Sequence, residues 1–317
     1  MLRRLAGNCF WMGRYIERAE NVARTLGVAE RLAHAPEHHR RPGPLWTETL
    51  MISCDENQFR KAGLQPDANS VLEWCFLDAR NTSSVVSCLH GARDNARTAR
   101  HLFTNDAWEA LNGAWIEVQT WDRTKVESSG GWEDACAWSI RQCLLVRGAF
   151  LELARDELPH VITLGQMLER VASIVSVLQL SPIIRLAHQE CLPGTALHRR
   201  TEATLAMAGG VDTFGRGMRD GLDPLEVVQF LIGDPTSPRS LLVCCRTMVE
   251  AIIGMTGGNS DAHARTLPAA RALVAAVLAM VEDDAPIAPV LGGIIEKVWA
   301  LSELVAQEHF SLATSAA

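Results

Sequence analysis

The stretch from Asn8 to Leu26 fixes more about this chain than any other. Leu5, Cys9, Met12, Ile16, Ala19, Ala23 and Leu26 recur at spacings of three and four, which predicts an amphipathic helix with one buried stripe. Arg14, Glu17, Glu20, Asn21 and Arg24 gather on the opposite side, with Phe10, Gly13 and Val28 among them. An aromatic ring and a glycine inside a charged stripe predict that another element covers this face. The alternative is a solvated face holding Glu17 with Asn21 and Glu20 with Arg24 at i,i+4, pairs worth about 0.2–0.5 kcal/mol each.

The rest of the chain reads as helix too. It has a single Tyr and 48% hydrophobic against 21% charged residues, which suits an all-α fold with a sizeable core. A net charge of −7 and no concentrated basic face exclude a nucleic-acid footprint. Nine scattered cysteines without a Cys-x-x-Cys pair suit a reducing compartment, and the expected location is the cytoplasm. No secretory signal is visible near the N-terminus, and the longest apolar run near the C-terminus, Ala272 to Val281, is short of a membrane span, so no membrane role is expected.

Helix one is predicted to continue to Leu32 or Ala33, where Pro36, Pro42, Gly43 and Pro44 break it. Further helices are expected over residues 45–61, 71–77, 81–103 with Asn81 as N-cap, from Asn105 or Asp106 onward, and 132–157 ahead of Pro159. Ser128 to Gly131 looks like a linker. Later helices are expected at 183–190, 199–208, 224–232 capped by Asp223, 241–255 ending at Gly257-Gly258, 269–281 and 290–310. The expected architecture is a single domain over 1–317, a bundle of ten to twelve helices.

Inside it lies a repeat. Gly165 to Leu178 lies on Gly13 to Leu26 at an offset of 152, and Asp234 to Cys244 lies on Asp78 to Cys88 at an offset of 156. Ser237 falls where Asn81 does, and Pro238 falls at an expected first helical position. Two matches in the same order predict two divergent units, about 1–130 and 131–317.

The repeat sorts the candidate site residues. Gly13, Glu17/Glu169, Arg18/Arg170, Asp78/Asp234 and the cap at Asn81/Ser237 occur in both units and are expected to be structural. Arg14, Glu20, Asn21 and Arg24 become Gln166, Ala172, Ser173 and Ser176, so the leading unit alone keeps an ionisable cluster. Arg93, Arg97 and Arg100 recur at i, i+4 and i+7 beside Asp94, and are expected to meet Glu17 and Glu20 in forked bonds. Such a network is either a structural lock or a site with arginines free for a carboxylate or phosphate. His34, Glu37, His38 and His39 sit in a Pro-rich loop without fixed geometry, no Glu-x-x-His motif falls on a convincing bundle helix and no phosphate loop occurs, so no metal or cofactor is expected. The nine Trp residues are expected in the core or between helices.

Gly13-Arg14-Tyr15-Ile16-Glu17-Arg18-Ala19-Glu20-Asn21, with Phe76-Leu77-Asp78, Asn81 to Val85, Ala92 to Arg97 and Trp108 to Asn112, resembles the alpha-E domain family, named for its helices and its Glu-Arg motif. The resemblance spans nearly the whole chain. It implies association with circularly permuted ATP-grasp ligases and transglutaminase-like proteins, in systems that make or modify peptides through amide bonds. On that footing the chain is expected to be a non-ATP-binding partner that holds such a ligase or its peptide or carboxylate substrate. One alternative is an enzyme using Glu17 or Glu20 as acid/base, with Arg14, Arg24, Arg93 or Arg97 orienting an anion. Another is a structural module that forms homo-oligomers.

Overall fold

In a computed structural model describing residues 2–36, 43–186, 189–216, 222–255, 264–282 and 287–310, the opening stretch forms α1, Arg3–Ala33. It is followed by α2 (Gly43–Ser53), α3 (Glu56–Lys61), α4 (Ala68–Phe76), α5 (Val85–Thr98), α6 (Asn105–Val118), α7 (Arg123–Ser128), α8 (Gly131–Ala149) and α9 (Glu157–Leu180). Then come α10 (Ile183–Leu186), α11 (Ala196–Ala208), α12 (Val211–Gly215), α13 (Pro224–Gly233), α14 (Leu241–Gly254), α15 (Thr266–Glu282) and α16 (Ile287–Val305). No strand occurs among the described residues, and the fold is all-α. Twelve of these helices have seven residues or more, in line with the ten to twelve expected; the others are short turns of helix.

α1 is buried on both faces. Cys9, Met12, Ile16, Ala23 and Leu26 fill the apolar side, and Phe10, Gly13, Glu17, Glu20 and Asn21 opposite them are equally shut from water. α5, α8 and α9 cover it, with α2 and α11 at its edges. α9 packs in turn on α14 and α16, while α6 joins α5 to α8 and α15 joins α14 to α16. Two long central helices thus share one hydrophobic core.

Local chemistry sets the boundaries, and several differ from the sequence expectation. Asp55 accepts from Asn57 N and starts a new helix, which splits the expected 45–61 element. Ser84 caps α5 by accepting from Ser87 N, and Thr104 caps α6 by accepting from Ala107 N, so neither Asn81 nor Asn105 or Asp106 is the cap. α5 stops at Thr98 and Arg100 falls in a short 3-10 turn, Arg100–Leu102. Gly130 and Gly131, at φ 104° and 87°, make a tight corner between α7 and α8 rather than a linker. The expected 132–157 helix ends at Ala149. Pro159 then sits inside the first turn of α9, where its missing N–H has no acceptor to lose. Pro238 precedes the helix it was expected to begin, because Ser240 is the cap of α14. The expected stop at Gly257-Gly258 lies outside the described residues.

By length and composition α9 alone among the described helices could cross a membrane, but 72% of its apolar window is buried inside the fold. Its hydrophobicity belongs to the core. Trp46, Trp74 and Trp132 are buried as expected, whereas Trp299 on α16 is 59% exposed.

Candidate functional site

α1 and α9 run side by side in the same direction, and two glycines set how close they come. A Cβ on Gly13 would sit 2.5 Å from the Ile162 carbonyl oxygen, and one on Gly165 would strike the Phe10 carbonyl oxygen. Only a residue without a side chain fits either position.

One turn further on, the Glu-Arg dipeptides pair crosswise. Arg170 donates from Nε and Nη2 to the two oxygens of Glu17, both at 2.7 Å. Arg18 donates from Nε and Nη2 to the two oxygens of Glu169, at 2.6 and 2.9 Å. Both are two-pronged, charge-assisted forks. In the glycine contacts and in the forks, the role of a residue in α1 is taken in α9 by the residue 152 positions later.

The forks differ in company. Glu17 and Glu20 are completely buried. Arg147 from α8 lies 3.0 Å from Glu17, and Arg239, from the loop ahead of α14, lies 3.7 Å from it. Glu20 accepts from Arg239 at 2.5 Å and from Arg24 at 2.6 Å. Its second oxygen lies 2.8 Å from Arg147 but off the line of a hydrogen bond, a contact of charge without direction. Asn21 Oδ1 accepts from Arg239 at 3.4 Å. Around Glu169 there is, besides Arg18, only Arg14 among the described residues, which reaches it at 3.1 Å, donates to Ser302 and lies over the Trp11 ring.

Across the seam six guanidiniums face three carboxylates. Burial pushes the Glu17 carboxyl up, but Arg170, Arg239 and Arg147 outweigh it and hold the group far below the usual carboxylate range. Burial also opposes ionisation of Glu169, and Arg18 and Arg14 still keep it below its ordinary value. Arg239 is brought down to about 10 by burial, with Arg170 and Arg24 adding repulsion that Glu17 and Glu20 only partly offset.

The arginine stripe is elsewhere. Arg93 pairs with Asp94 and donates to Asn112, Arg97 lies 3.8 Å from Asp94, and Arg100 donates to the Phe103 carbonyl and to Asn105. These groups line the outer edge of α5 and α6, over Trp108 and beside the His90–Trp115 contact, and in none of these bonds do they meet Glu17 or Glu20. The expected encounter fails because α5 turns its apolar side, Cys88, Leu89, Ala92 and Ala96, towards the core. Its place is taken by Arg147, Arg170 and Arg239. Arg147 and Arg239 were not singled out by the sequence, although each is a lone cation in an apolar stretch, after Leu144-Leu145-Val146 and before Leu241-Leu242-Val243.

Asp78 and Asp234 fold their loops alike. Asp78 accepts from Arg80 N and Asp234 from Thr236 N, both at 2.8 Å, and Asn81 and Ser237 accept from the backbone N–H two residues on. The second loop thereby delivers Arg239 to the seam. Among the described residues no group of three or more His, Cys, Asp or Glu could hold a metal ion; Glu37, His38 and His39 lie outside them.

Two cavities flank the seam. One of about 270 Å³ is walled by Arg24, Arg31, Glu133 and Asp212, with Arg31 paired to Glu133. The other, about 110 Å³, opens between α1, α2 and α9 beside Arg18, Asn21, Ser53 and Ser173.

Comparison with known proteins adds a family. The model of Alpha-E, described as a predicted alpha-helical domain with a conserved ER motif, matches residues 1–310. Among curated proteins the chain is similar to uncharacterized protein Mb2597 of Mycobacterium bovis and uncharacterized protein Rv2567 of Mycobacterium tuberculosis. Each is 24% identical over 257 residues, which is 75% of this chain but 28% of the relative. The chain therefore matches little more than a quarter of the length of these relatives. No solved structure matches.

Proposed function

The chain belongs to the Alpha-E family, and from that premise we propose that it is a non-catalytic helical partner of an ATP-grasp-type amide ligase or a transglutaminase-like protein, holding the ligase or its peptide substrate. The observation that carries the reading is the state of the two candidate acid/base groups. Glu17 and Glu20 are fully buried and shared among guanidiniums. A general acid or base needs access to substrate and a pKa near the working pH, whereas Glu17 is fully buried and held far below the usual carboxylate range. The Glu-Arg motif is better suited to tying helices together than to chemistry.

In this reading the partner contact belongs on the α5–α6 edge, where Arg97 is 63% exposed, Trp108 is part-buried beneath Arg93 and Arg100, and part-buried Trp115 packs on the His90 ring. Aromatic and arginine side chains are the usual anchors of protein interfaces. The motif also supports an origin in two divergent units, 1–130 and 131–317, since the crossed forks and the matched Asp78 and Asp234 loops each relate residues at nearly one offset. Nine free thiols, seven of them buried, support a reducing compartment such as the cytoplasm.

Size-exclusion chromatography of the purified chain with an ATP-grasp ligase tests the proposal. The expected result is co-elution and a changed ligase rate, with Arg97→Glu weakening both. Separate elution with an unchanged rate overturns it.

A further inference from the structure

The smaller cavity sets Val22, Ile52 and Ala172 beside polar groups that include unpartnered donors. Asn21 is 5% exposed, and its Oδ1 is taken by a proton from Arg239, which fixes the amide orientation and turns Nδ2 away from that arginine. Nδ2 has no acceptor among the described residues, and neither has the buried hydroxyl of Ser53 across the cavity. Arg18 commits Nε and Nη2 to Glu169 and leaves Nη1 outside the fork. Ser173 adds a hydroxyl to the same wall.

Acceptors are scarce by comparison. The one carboxylate on the wall, Glu169, already serves Arg18 and Arg14 with both oxygens, and two guanidiniums against one carboxylate leave an uncancelled positive charge at this end of the seam. Buried donors without acceptors are unfavourable, and a pocket that presents several beside a cation is complementary to an anionic oxygen acceptor. A volume of about 110 Å³ lies well under the roughly 300 Å³ at which drug-sized ligand pockets begin, so it admits a head group and not a nucleotide.

We propose that the cavity between α1, α2 and α9 binds the oxyanion group of a small ligand, a carboxylate or a phosphate, through Asn21 Nδ2, Ser53 Oγ and Arg18 Nη1. The site stands apart from the ligase reading: loss of that association leaves it untouched, and its own failure does not bear on the partner.

Acetate and inorganic phosphate, titrated separately into the full ¹⁵N-labelled chain, test it. The expected result is a saturable shift of the Asn21 side-chain amide and of the Val22 and Ser173 backbone amides with at least one of the two ions. Saturation by acetate alone assigns a planar carboxylate, and saturation by phosphate assigns a tetrahedral anion. Asn21→Asp keeps an oxygen for Arg239 but adds negative charge to the cavity, and should weaken the response of the backbone amides at least tenfold. Ser53→Ala, which leaves the seam intact, should weaken it several-fold. Absence of a saturable shift with both ions, or equal affinity in both variants, means that the cavity holds water only and overturns the proposal.

Discussion

The Glu17–Arg170 and Arg18–Glu169 forks share one chemistry and one geometry, yet they sit in different electrostatic worlds. Glu17 is sunk among Arg170, Arg147 and Arg239, none more than 19% exposed, with Glu20 beside it. Glu169, itself 12% exposed where Glu17 is fully buried, meets two guanidiniums, those of Arg18 and Arg14. The difference teaches that the crossing of α1 and α9 supplies the fork, while the elements packed around it decide how much rests on each carboxylate. Removing one partner of a buried ion pair strands the other charge, at about 3–5 kcal/mol. Glu17→Ala strands Arg170 and leaves Arg147 and Arg239 to Glu20, and should lose stability at the top of that range, measured by urea unfolding. Glu169→Ala should lose about half as much. Equal losses would break the comparison.

The glycines test the opposite proposition, that the backbone crossing itself is balanced. Gly13→Ala and Gly165→Ala each push a methyl into a carbonyl of the facing helix, and overpacking of this kind costs about 1–3 kcal/mol. Both should cost the same within error in the same denaturation experiment. A clear inequality would mean that the two helices yield differently at their contact, and that the forks differ partly in backbone and not only in company.

Much of this was legible in residues 8–26. The three-four spacing gave α1, and Phe10 and Gly13 inside the charged stripe announced a covering element, which is α9. The offset of 152 aligns the Glu17-Arg18 dipeptide with Glu169-Arg170, and the two dipeptides pair crosswise. What stayed hidden was the identity of the covering cations. A stripe at i, i+4 and i+7 on α5 marks a common face, but not which way that face points; the apolar side of α5 took the core and turned Arg93 and Arg97 outward. Arg147 and Arg239 come from elements far away in the chain, and side-chain periodicity carries no information about such meetings. Asn81 misled for a related reason. An Asx turn and an N-cap use the same side-chain oxygen, and here the turn at Asn81 hands the cap to Ser84.

Acid sharpens the comparison further. Both carboxyls are held below their unfolded values, so the stability they contribute is fully present above the unfolded glutamate pKa of about 4.3 and is lost as the pH falls through the lower folded values. Each group that stays ionised in the fold but binds a proton on unfolding adds a slope of about 1.4 kcal/mol per pH unit in that window. Glu17→Gln should remove more of the acid slope than Glu169→Gln, because three guanidiniums depress Glu17 and two depress Glu169. Thermal unfolding at pH 3–6 reads the difference.

The smallest effect belongs to a residue outside both forks. Arg97 is 63% exposed and stands 3.8 Å from Asp94, a surface pair whose removal should change stability by no more than about 0.5 kcal/mol. Arg97→Ala is therefore a control on the whole scheme. If it destabilised the fold as Glu17→Ala does, the buried network would have to extend through α5, and the contrast between the two ends of the seam would no longer describe where the load lies. If it left urea unfolding unchanged but weakened co-elution with an ATP-grasp ligase, the charges of α1 would be assigned to holding the fold and those of α5 to meeting a partner. The same residue type, in two stretches that the sequence placed side by side, would then be doing two separate jobs because one helix buries its charged face and the other exposes it.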